Sequence, residues 1–523
     1  MRHSVAMAGA IAHELWEHLL RADGQQDVTL ATYRPSTGVE RQSYLIRTVH
    51  PPRPGERDVH GNASFTGDYV LRVASAAFAD GSGVAILHSH PGGRGSQGMS
   101  APDADAERSY AHLVHEITGL PLLGMTLAGG DRRWSARRWS PTGEPTWCES
   151  VRVIDDILHI SWNDALRQPP PLRETQVRTA SGWGPKIQAD IARLRVLVIG
   201  AGSVGLEVAL RLAASGIQHV AVMDFDTVEL LNLDRLIGAT RLDALLRRPK
   251  ADVAVRLLRQ AATAAQPDIR GIDYSICEPR GHEFALDYDV IFSCVDRPWP
   301  RAVLNMTAYA DLIPVIDGGL HIDPFPDGGM RNATWRSHVI RPGRPCLACI
   351  RQLDLGQVAM DREGLLDDPE YIRRAGQARA PARQNVATLS VSVVSSVLAQ
   401  FVSFVAGPGG RGEPGPLQYL LTTHSLSHLR YTTQPNCYFE NATAAGDQRL
   451  ALTGTHRKAE EARDSRTQTS WQARMISLAA TAVQALDERI ERCAIRSLRS
   501  RSKDPSRLRR VAAEDGGPAG LHE

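Results

Sequence analysis

This chain has few lysines, a small net charge and few long apolar runs. The 60 basic residues are almost all arginine, and 58 acidic residues balance them to a formal charge of +2. This balance provides no global field that would attract nucleic acid or an anionic membrane. No stretch approaches the roughly 20 uninterrupted apolar residues of a membrane span, and the N-terminus lacks a secretory signal pattern. We therefore expect a cytoplasmic protein with neither a membrane nor a nucleic acid as its partner.

Cysteine is also sparse, with seven residues in a chain of 523. Scattered cysteines in a chain of this length do not make a disulfide framework. Cys346 and Cys349 form the single close pair, a spacing typical of metal or thiol chemistry, and a reducing compartment suits either use.

The chain is too long for one hydrophobic core, and its pattern indicates an α/β protein of two or three domains. Apolar residues at helical spacing predict a helix over 5–22, and β-rich runs predict strands at 28–33, 44–49 and 84–87. Gln168-Pro169-Pro170-Pro171 cannot continue a helix and predicts an extended linker. We expect domains at 1–147 and 186–455, a linker at 148–185, and a helical, basic and partly disordered tail at 456–523 with arginines clustered over 492–510.

The first motif is His88-Ser89-His90-Pro91 after a buried strand, with Ser100 and Asp103 at the following helix start. Two histidines separated by one strand residue point to the same face, so both imidazoles can reach one zinc ion. Asp103 is a candidate third ligand, and a fourth position left to water would make the site catalytic. Ser100 is placed to stabilise an oxyanion. The alternative without a metal is a pair of structural histidines beside a glycine-rich loop.

This pattern resembles the JAB/MPN (JAMM) metalloisopeptidase family over about residues 1–147. The resemblance implies a mixed α/β domain in which His88, His90 and Asp103 bind zinc and Ser100 assists the oxyanion. The family's general-base glutamate stands at the start of the strand after the first helix, where this chain has Gln25-Gln26-Asp27. Asp27 is the candidate base, Glu40 on the next strand is a second candidate, and a weak or inactive peptidase is the remaining alternative.

The second motif is Gly200-Ala201-Gly202-Ser203-Val204-Gly205, between a predicted strand at 195–199 and an apolar helix at 206–214. With a further strand predicted at 220–226, this order opens a doubly wound Rossmann-like domain. The glycines let the backbone approach a phosphate at a helix N-terminus, and Asp224 stands where an acid usually holds ribose hydroxyls. NAD and ATP fit this much equally.

Four residues further along the chain favour ATP over NAD: Asn232, Arg235, Lys250 and Asp296. A hydride-transfer enzyme has no need of an arginine and a lysine near a triphosphate, or of a carboxylate that holds magnesium, whereas an adenylating enzyme does. The series resembles the ThiF/MoeB and ubiquitin-activating enzyme superfamily from about residue 173 to 455. The resemblance implies that Gly200, Gly202, Gly205 and Asp224 hold ATP, that Asn232, Arg235 and Lys250 contact its phosphates, and that Asp296 binds Mg²⁺.

Cys346 and Cys349 resemble the first half of the structural zinc site that these enzymes often carry. Cys437-Tyr438-Phe439-Glu440 stands where a second Cys-x-x-Cys is expected, so a closed four-cysteine site cannot form within one chain. Residues 355–385, where many relatives keep a thioester cysteine, contain none. The sequence leaves two alternatives: Cys346 or Cys349 accepts an acyl group, or the pair binds zinc with Cys437.

Together the two motifs resemble bacterial fusions of a JAB domain with a ThiF-type domain. The expected reaction is ATP-dependent adenylation of the C-terminal carboxylate of a ubiquitin-like modifier, followed by transfer to a cysteine and to a separate conjugating enzyme. Zinc-dependent processing or deconjugation of that modifier would be the task of the first domain. Activation of a sulfur-carrier protein for cofactor or tRNA thiolation is one alternative, and a first domain that only binds the modifier is another. We expect a homodimer formed through the ThiF-type domain.

Overall fold

The computed structural model describes residues 1–60, 62–367 and 385–467, together with Ala485 and Arg489. Within it, Met1–Glu460 forms one compact unit. The arginines predicted to form a basic tail at 492–510 lie outside the described residues.

The first part of the chain builds a nine-stranded sheet. Its strands are β1 (Arg2–Ala8), β2 (Val28–Thr37), β3 (Arg41–His50), β6 (Gly83–His90), β7 (Leu122–Ala128), β8 (Arg133–Trp139), β9 (Pro145–Trp147), β10 (Ser150–Ile154) and β11 (Leu158–Trp162), while β4 (Arg57–His60) and β5 (Asn62–Phe65) form a separate hairpin. The order across the sheet is β11-β10-β1-β3-β2-β6-β7-β8-β9. The strand predictions at 28–33, 44–49 and 84–87 are confirmed.

Three helices pack on this sheet: α1 (Gly9–Leu19), α2 (Gly67–Ala79) and α3 (Ala101–Thr118). The buried side chains of α1 share a core with Ala85 and Leu87, whereas those of α2 and α3 share a core with Val84 and Ile86. Because successive strand residues point to opposite faces, α1 covers one face of β6 while α2 and α3 cover the other.

The predicted helix at 5–22 is wrong in its first part, because β1 ends at Ala8 and the helix begins at Gly9. β1 lies inside the sheet and pairs in parallel with both β3 and β10. A strand that is buried on both faces has a continuous apolar run, and such a run is hard to distinguish from a buried helix by spacing alone.

The predicted linker at 148–185 also differs from the structure over its first residues. Ser150–Ile154 is fully buried as β10, and β11 pairs with it in an antiparallel hairpin at the sheet edge. The sheet therefore extends to Trp162 rather than closing at residue 147. The proline run at 169–171 is irregular as predicted, and it connects the sheet to the next helices.

The second sheet has the order β14-β13-β12-β15-β16-β17-β18-β19. Its strands are β12 (Arg195–Ile199), β13 (His219–Met223), β14 (Asp268–Ile272), β15 (Val290–Ser293), β16 (Val315–Pro324), β17 (Met330–Ile340), β18 (Leu417–Leu420) and β19 (Ser425–His428). The first five strands in the order are parallel, and β17, β18 and β19 add an antiparallel extension. This arrangement is the predicted doubly wound, Rossmann-like sheet.

Helices flank this second sheet among the described residues. They are α4 (Val177–Trp183), α5 (Pro185–Ala192), α6 (Ser203–Ala214), α7 (Arg241–Leu245), α8 (Lys250–Ala261), α9 (Pro279–Ala285), α10 (Pro298–Ala310), α11 (Leu355–Arg362), α12 (Ala387–Ala406) and α13 (Tyr438–Asn441), and the chain continues into α14 (Arg457–Thr467). α12 is long and apolar enough to cross a membrane by length and composition. Val393, Val397 and Phe401 of α12 are nevertheless buried in the core shared with the second sheet.

The two sheets share a buried junction. Ala6, Leu45 and Trp162 of the first sheet belong to the same apolar core as the second sheet. The fully buried Arg41 side chain pairs with Asp289 at 2.5 Å across this junction. Breaking a buried charge pair is expensive, so we infer that the two sheets form one structural unit rather than two independently mobile domains.

Candidate functional sites

His88 and His90 end β6 on the face covered by α2 and α3, and Asp103 lies in the first turn of α3. Their ligand atoms all lie within 4.8 Å of one another. Asp103 Oδ2 is 3.7 Å from His88 Nε2 and 3.8 Å from His90 Nε2. Ligands about 2.0–2.1 Å from a tetrahedral zinc ion lie roughly 3.4 Å apart, so these residues fit one ion after small adjustments.

The surroundings of the two histidines suit metal binding. His90 Nδ1 lies 3.1 Å from Gln97 Oε1, an arrangement that leaves Nε2 for a metal. Burial lowers the pKa of His88 to about 3, so its imidazole is neutral, as a ligand must be. The hydrogen bond from His90 holds the pKa of the Asp103 carboxyl below its usual range.

A buried polar chain lies beside the same His88 nitrogen that faces Asp103. His88 Nε2 lies 3.4 Å from Thr126 Oγ1, and Arg137 Nη1 donates to that same oxygen at 2.9 Å. Glu107 accepts hydrogen bonds from Arg137 Nε at 2.8 Å and from Trp139 Nε1 at 2.6 Å. The sequence alone does not reveal these residues, because their only signal is the spatial convergence of α3, β7 and β8.

Ser100 caps α3 and lies next to the cluster. Its Oγ accepts from Asp103 N at 3.2 Å and donates to Asp103 Oδ2 at 2.7 Å. The serine predicted to assist an oxyanion is therefore exposed and held within a capping box with a candidate metal ligand.

The structure does not bring Asp27 to the histidine cluster. Val28 pairs with His88, and Ser89 N donates to Asp27 O at 3.0 Å, so Asp27 is opposite Ser89 on the face of α1. Its carboxylate accepts from Arg57 Nη1 at 2.6 and 2.7 Å and lies 3.5 Å from Arg21 Nη1. The carboxylate is thus committed to guanidinium groups and turned away from the candidate metal.

Glu40, the second candidate base, lies at the junction of the two sheets. Its carboxylate pairs with Arg2 at 3.1 Å and with Arg270 at 2.9 Å. Among the described acidic and histidine side chains, neither Glu40 nor Asp27 joins His88, His90 and Asp103 in a cluster.

The glycine motif connects β12 to α6. Gly200 has φ +93°, and a Cβ there would approach Cys294 O to 2.6 Å, while a Cβ on Gly205 would approach Gly200 O to 1.8 Å. The fold itself requires these two glycines. A Cβ on Gly202 would meet nothing within 4 Å, so open space lies beside the first turn of α6, where backbone N–H groups can receive an anion.

Asp224 directly follows β13 and lies beside this turn. Its Oδ2 accepts from Ala201 N at 2.7 Å, and its Oδ1 accepts from Asp226 N at 2.8 Å. Burial raises the pKa of the Asp224 carboxyl, with Lys250 opposing the shift and Asp226 adding to it.

Lys250 begins α8 and points its ammonium group at these acids. Lys250 Nζ donates to Asp226 Oδ2 at 2.7 Å. Burial lowers the pKa of Lys250, but the charges of Asp224 and Asp226 outweigh burial and raise it overall. The structure therefore brings the glycine turn, Asp224 and a charged lysine together.

Asn232 and Arg235 lie in the connection between β13 and α7. Asn232 Oδ1 accepts from Glu229 N at 2.9 Å, and Arg235 Nη1 donates to Leu231 O at 2.6 Å. Arg235 lowers the pKa of Lys250 by electrostatic repulsion, so the two cations are near each other. Two positive groups close together suit the several negative charges of a polyphosphate.

Asp296 is exposed and follows β15 after three residues. Ile199 of β12 pairs in register with Met223 of β13 and with Ser293 of β15. Gly200, Asp224 and Asp296 therefore follow the carboxyl ends of three adjacent strands. β13 and β15 lie on either side of β12, which is the switch point where open α/β sheets bind ligands.

A third cluster contains the sulfur atoms of Cys346, Cys349 and Cys437, which lie within 4.8 Å of one another. Cys346 Sγ accepts from Cys349 N at 3.4 Å, and Cys349 Sγ accepts from Gln434 N at 3.3 Å. Backbone N–H donors to sulfur stabilise thiolates, so the cluster fits a thiophilic ion such as Zn²⁺. Cys346 is 0 % exposed and Cys349 is 4 % exposed, which opposes the predicted thioester role.

The Tyr309 hydroxyl lies beside this sulfur cluster. Burial raises its pKa well above the usual value, and the charges of Cys346, Glu440, Cys437 and Cys349 each raise it further. Glu440 therefore lies near the same phenol as the three cysteines.

The family model described as the ThiF family matches residues 174–439. The NEDD8-activating enzyme E1 catalytic subunit of Schizosaccharomyces pombe is 30 % identical over 31 % of this chain and 35 % of its own length. The sulfur carrier protein ThiS adenylyltransferase of Bacillus subtilis is 28 % identical over 35 % of this chain and 52 % of its own length. The structure of Escherichia coli MccB with ATP has a TM-score of 0.39 and 17 % identity, covering 51 % of this chain and 75 % of that one.

This chain therefore spans between a third and about half of the length of these two curated relatives. The family model, however, covers more than half of this chain, from α4 across the glycine turn to α13. It includes every residue of the second site. The chain belongs to the ThiF family.

Proposed function

We propose that this protein uses ATP to adenylate the C-terminal carboxylate of a ubiquitin-like or sulfur-carrier protein. The observation that supports this best is the convergence of the Gly202 turn, Asp224 and the Lys250–Asp226 pair at adjacent strand ends in a ThiF family member. The two relatives named above activate one substrate of each kind, NEDD8 and the sulfur carrier protein ThiS.

In this reaction a carboxylate oxygen of the acceptor protein attacks the α-phosphorus of ATP. The new acyl–phosphate bond forms as the bond to the α–β bridging oxygen breaks, and pyrophosphate leaves with that oxygen. Lys250 and Arg235 neutralise charge on the leaving group, and the first turn of α6 offers backbone N–H groups to a phosphate. Asp296 would hold Mg²⁺, which supplies further charge neutralisation when it is bound.

The test is carboxylate-dependent exchange of labelled pyrophosphate into ATP. We expect exchange by the full chain when a ubiquitin-like substrate is present and loss of exchange in Asp296→Ala. Asp327→Ala changes an exposed carboxylate in the turn between β16 and β17 and serves as the control. Exchange that is absent with every ubiquitin-like protein offered, or undiminished in Asp296→Ala, would contradict the proposal.

A conjugation pathway and a sulfur pathway remain the two alternatives for the activated acyl group. The conjugation alternative requires a thioester on a separate conjugating enzyme, since the cysteines at 346 and 349 are buried. The sulfur alternative requires a sulfur donor and yields a C-terminal thiocarboxylate. Mass spectrometry of the acceptor after incubation with each partner distinguishes a thioester adduct from a thiocarboxylate.

We further propose that the first sheet binds zinc at His88, His90 and Asp103 and recognises the same acceptor protein. When bound, zinc polarises a carbonyl and lowers the pKa of its water. His90 is oriented by Gln97, and Ser100 lies at the edge of the site to contact an oxyanion. Since Asp27 and Glu40 are both paired with arginines away from this cluster, we propose that this domain binds the modifier and cleaves it slowly.

Zinc analysis tests this second proposal. His88→Ala should lower the zinc content of the purified chain by one ion, whereas His3→Ala, which changes another strand histidine, should not. Equal zinc content in wild type and His88→Ala would remove the histidine cluster as a metal site.

We propose that the protein forms a homodimer through its ThiF-type part. Leu231 is 78 % exposed and Leu245 is 71 % exposed, and both lie between β13 and α8 beside the second site. Exposed leucines at this density favour contact with another protein surface. Sedimentation of Leu231→Asp and Leu245→Asp should show monomers, and an unchanged mass relative to wild type would contradict the proposal.

A further inference from the structure

The sulfur cluster contains three of the four ligands that a structural zinc ion takes. Cys346 and Cys349 come from the turn before α11, and Cys437 comes from the residue before α13. Structural zinc sites are almost always closed by a fourth protein ligand. Cys346 and Cys349 are three residues apart, and the residue three positions after Cys437 is Glu440.

Glu440 has an unusual environment for a carboxylate. Its Oε1 accepts from Gly343 N at 3.3 Å, which is a long hydrogen bond. Its Oε2 is buried and has no hydrogen-bond partner. Leaving a buried carboxylate oxygen unpaired costs free energy, so the atom requires an explanation.

The position of Glu440 supplies that explanation. Glu440 follows Cys437 within one short helical turn, and Asn441 N donates to Cys437 O at 3.0 Å, so the turn is closed. The same carboxylate and the three cysteines all act electrostatically on the Tyr309 hydroxyl. The Glu440 oxygens stand outside the 4.8 Å sulfur group, so ligation requires rotation of this side chain toward the sulfurs.

We propose that Glu440 is the fourth ligand of a three-cysteine, one-glutamate zinc site in this chain. A carboxylate oxygen binds zinc at about 2.0–2.2 Å and a thiolate at about 2.3 Å, so the longer glutamate side chain takes the place of a fourth sulfur. Three thiolates and one carboxylate carry the same charge as four thiolates. The site joins the 346–349 turn to the 437–440 turn beneath α10, where Leu347 N donates to Asn305 Oδ1 at 3.1 Å.

This site is structural, and its existence does not depend on the proposed adenylation. The two cysteines of the first turn are buried, and the cluster packs in the core that also contains Trp299 and Phe439. Failure of the adenylation assay would therefore leave the metal site untouched, and loss of metal at the sulfurs would leave the assignment of the glycine turn untouched.

Cobalt substitution of the reduced full-length chain tests the proposal. Charge transfer from sulfur to Co²⁺ arises only from thiolate ligands, so the histidine cluster does not contribute to this absorption band. We expect wild type to show a tetrahedral spectrum with this band. Glu440→Cys should intensify the band by adding a fourth Co–S bond. Glu440→Gln should weaken Co²⁺ and Zn²⁺ affinity, measured by chelator competition, by about tenfold or more.

Tyr438→Phe is the matched control, because Tyr438 lies in the same short helix with 42 % exposure. It should keep the wild-type spectrum and affinity. Glu440→Cys also controls for folding, because it should bind metal where Glu440→Gln binds poorly. Unchanged spectra and affinities in both Glu440 variants would overturn the assignment of Glu440. Absence of the charge-transfer band in wild type would overturn the site itself.

Discussion

The histidine cluster and the glycine turn occupy comparable places in their two sheets, since each lies at the carboxyl end of a buried strand, but they are built differently. The glycine turn is formed mainly by backbone groups, with an open helix N-terminus and two glycines that the fold requires. The histidine cluster is formed by side chains from a strand and a helix, and the buried polar chain from Thr126 to Glu107 lies beside them. The geometry of the glycine turn is therefore set by the backbone, and that of the histidine cluster by the convergence of side chains.

The two sites also differ in how completely their chemistry is assembled. The ThiF-type site has its cations and carboxylates together, with Lys250 paired to Asp226. The histidine cluster has its ligands together, but both predicted bases, Asp27 and Glu40, are paired with arginines away from it. We infer that the second site is the stronger catalyst and that the first is chiefly a binding site.

The largest expected effect is at Lys250. Lys250→Ala should lower acceptor-dependent pyrophosphate exchange by about 10²–10³-fold, because it removes a preorganised charge from the phosphate site. Lys458→Ala is a close control, since Lys458 also pairs with an aspartate at 2.7 Å but is more exposed. Equal losses in the two variants would mean that Lys250 contributes only a structural ion pair.

A substitution at Gln26 would place a general base beside the histidine cluster. Because Val28 pairs with His88, strand alternation assigns Gln26 to the same face as His88 and His90. Gln26→Glu should raise cleavage of a C-terminally extended modifier by about 10²-fold. Gln25→Glu is the matched control on the neighbouring residue. No gain in Gln26→Glu, with zinc still bound, would contradict the claim that a missing base limits this site.

The junction between the sheets offers a test of whether the two sites share one structural unit. Arg41→Met should lower the free energy of unfolding by about 3–5 kcal/mol, because it removes the closer arginine partner of the buried Asp289 carboxylate and leaves only a more distant one. Arg47→Met, which removes an exposed pair with Asp80, should cost no more than about 1 kcal/mol. Denaturant titration should show both sheets unfolding together, and a separate, unaffected transition for one sheet would contradict the account.

A smaller effect is expected from Asp311, which accepts from Ser36 Oγ of the first sheet at 2.8 Å. Burial raises the pKa of this carboxyl to about 6, opposed by Arg449. The folded state therefore holds the proton more tightly than the unfolded chain does, and stability falls as pH rises toward 6. Asp311→Asn should flatten this fall in melting temperatures measured from pH 4 to 7. A parallel slope in both proteins would exclude Asp311 as its source.

Much of the second half could be predicted from the sequence because its motifs are local. The strand at 195–199 and the glycine turn stand where the pattern predicts them. The ends of parallel strands meet at one sheet edge, so Asp224 and Asp296 could be brought together without a structure.

The first half shows where such prediction stops. The face of the sheet on which the Asp27 side chain lies depends on the register against β6, which no local pattern reveals. The sequence therefore could not exclude Asp27 as a base. β10 was missed for a related reason, since it pairs with β1 about 145 residues earlier in the chain, and β11 joins the sheet through its pairing with β10. Gln97 orients His90 from a glycine-rich loop whose path only the structure shows.

Activation of a protein's terminal carboxylate can be measured with two acceptors that differ only at the C-terminus. Pyrophosphate exchange by the full chain should occur with a ubiquitin-like or sulfur-carrier protein that ends in a free carboxylate. It should be absent when the same protein ends in an amide, because an amide offers no oxygen anion to the α-phosphorus. Equal exchange with both proteins, or no exchange with any free carboxylate, would contradict the account.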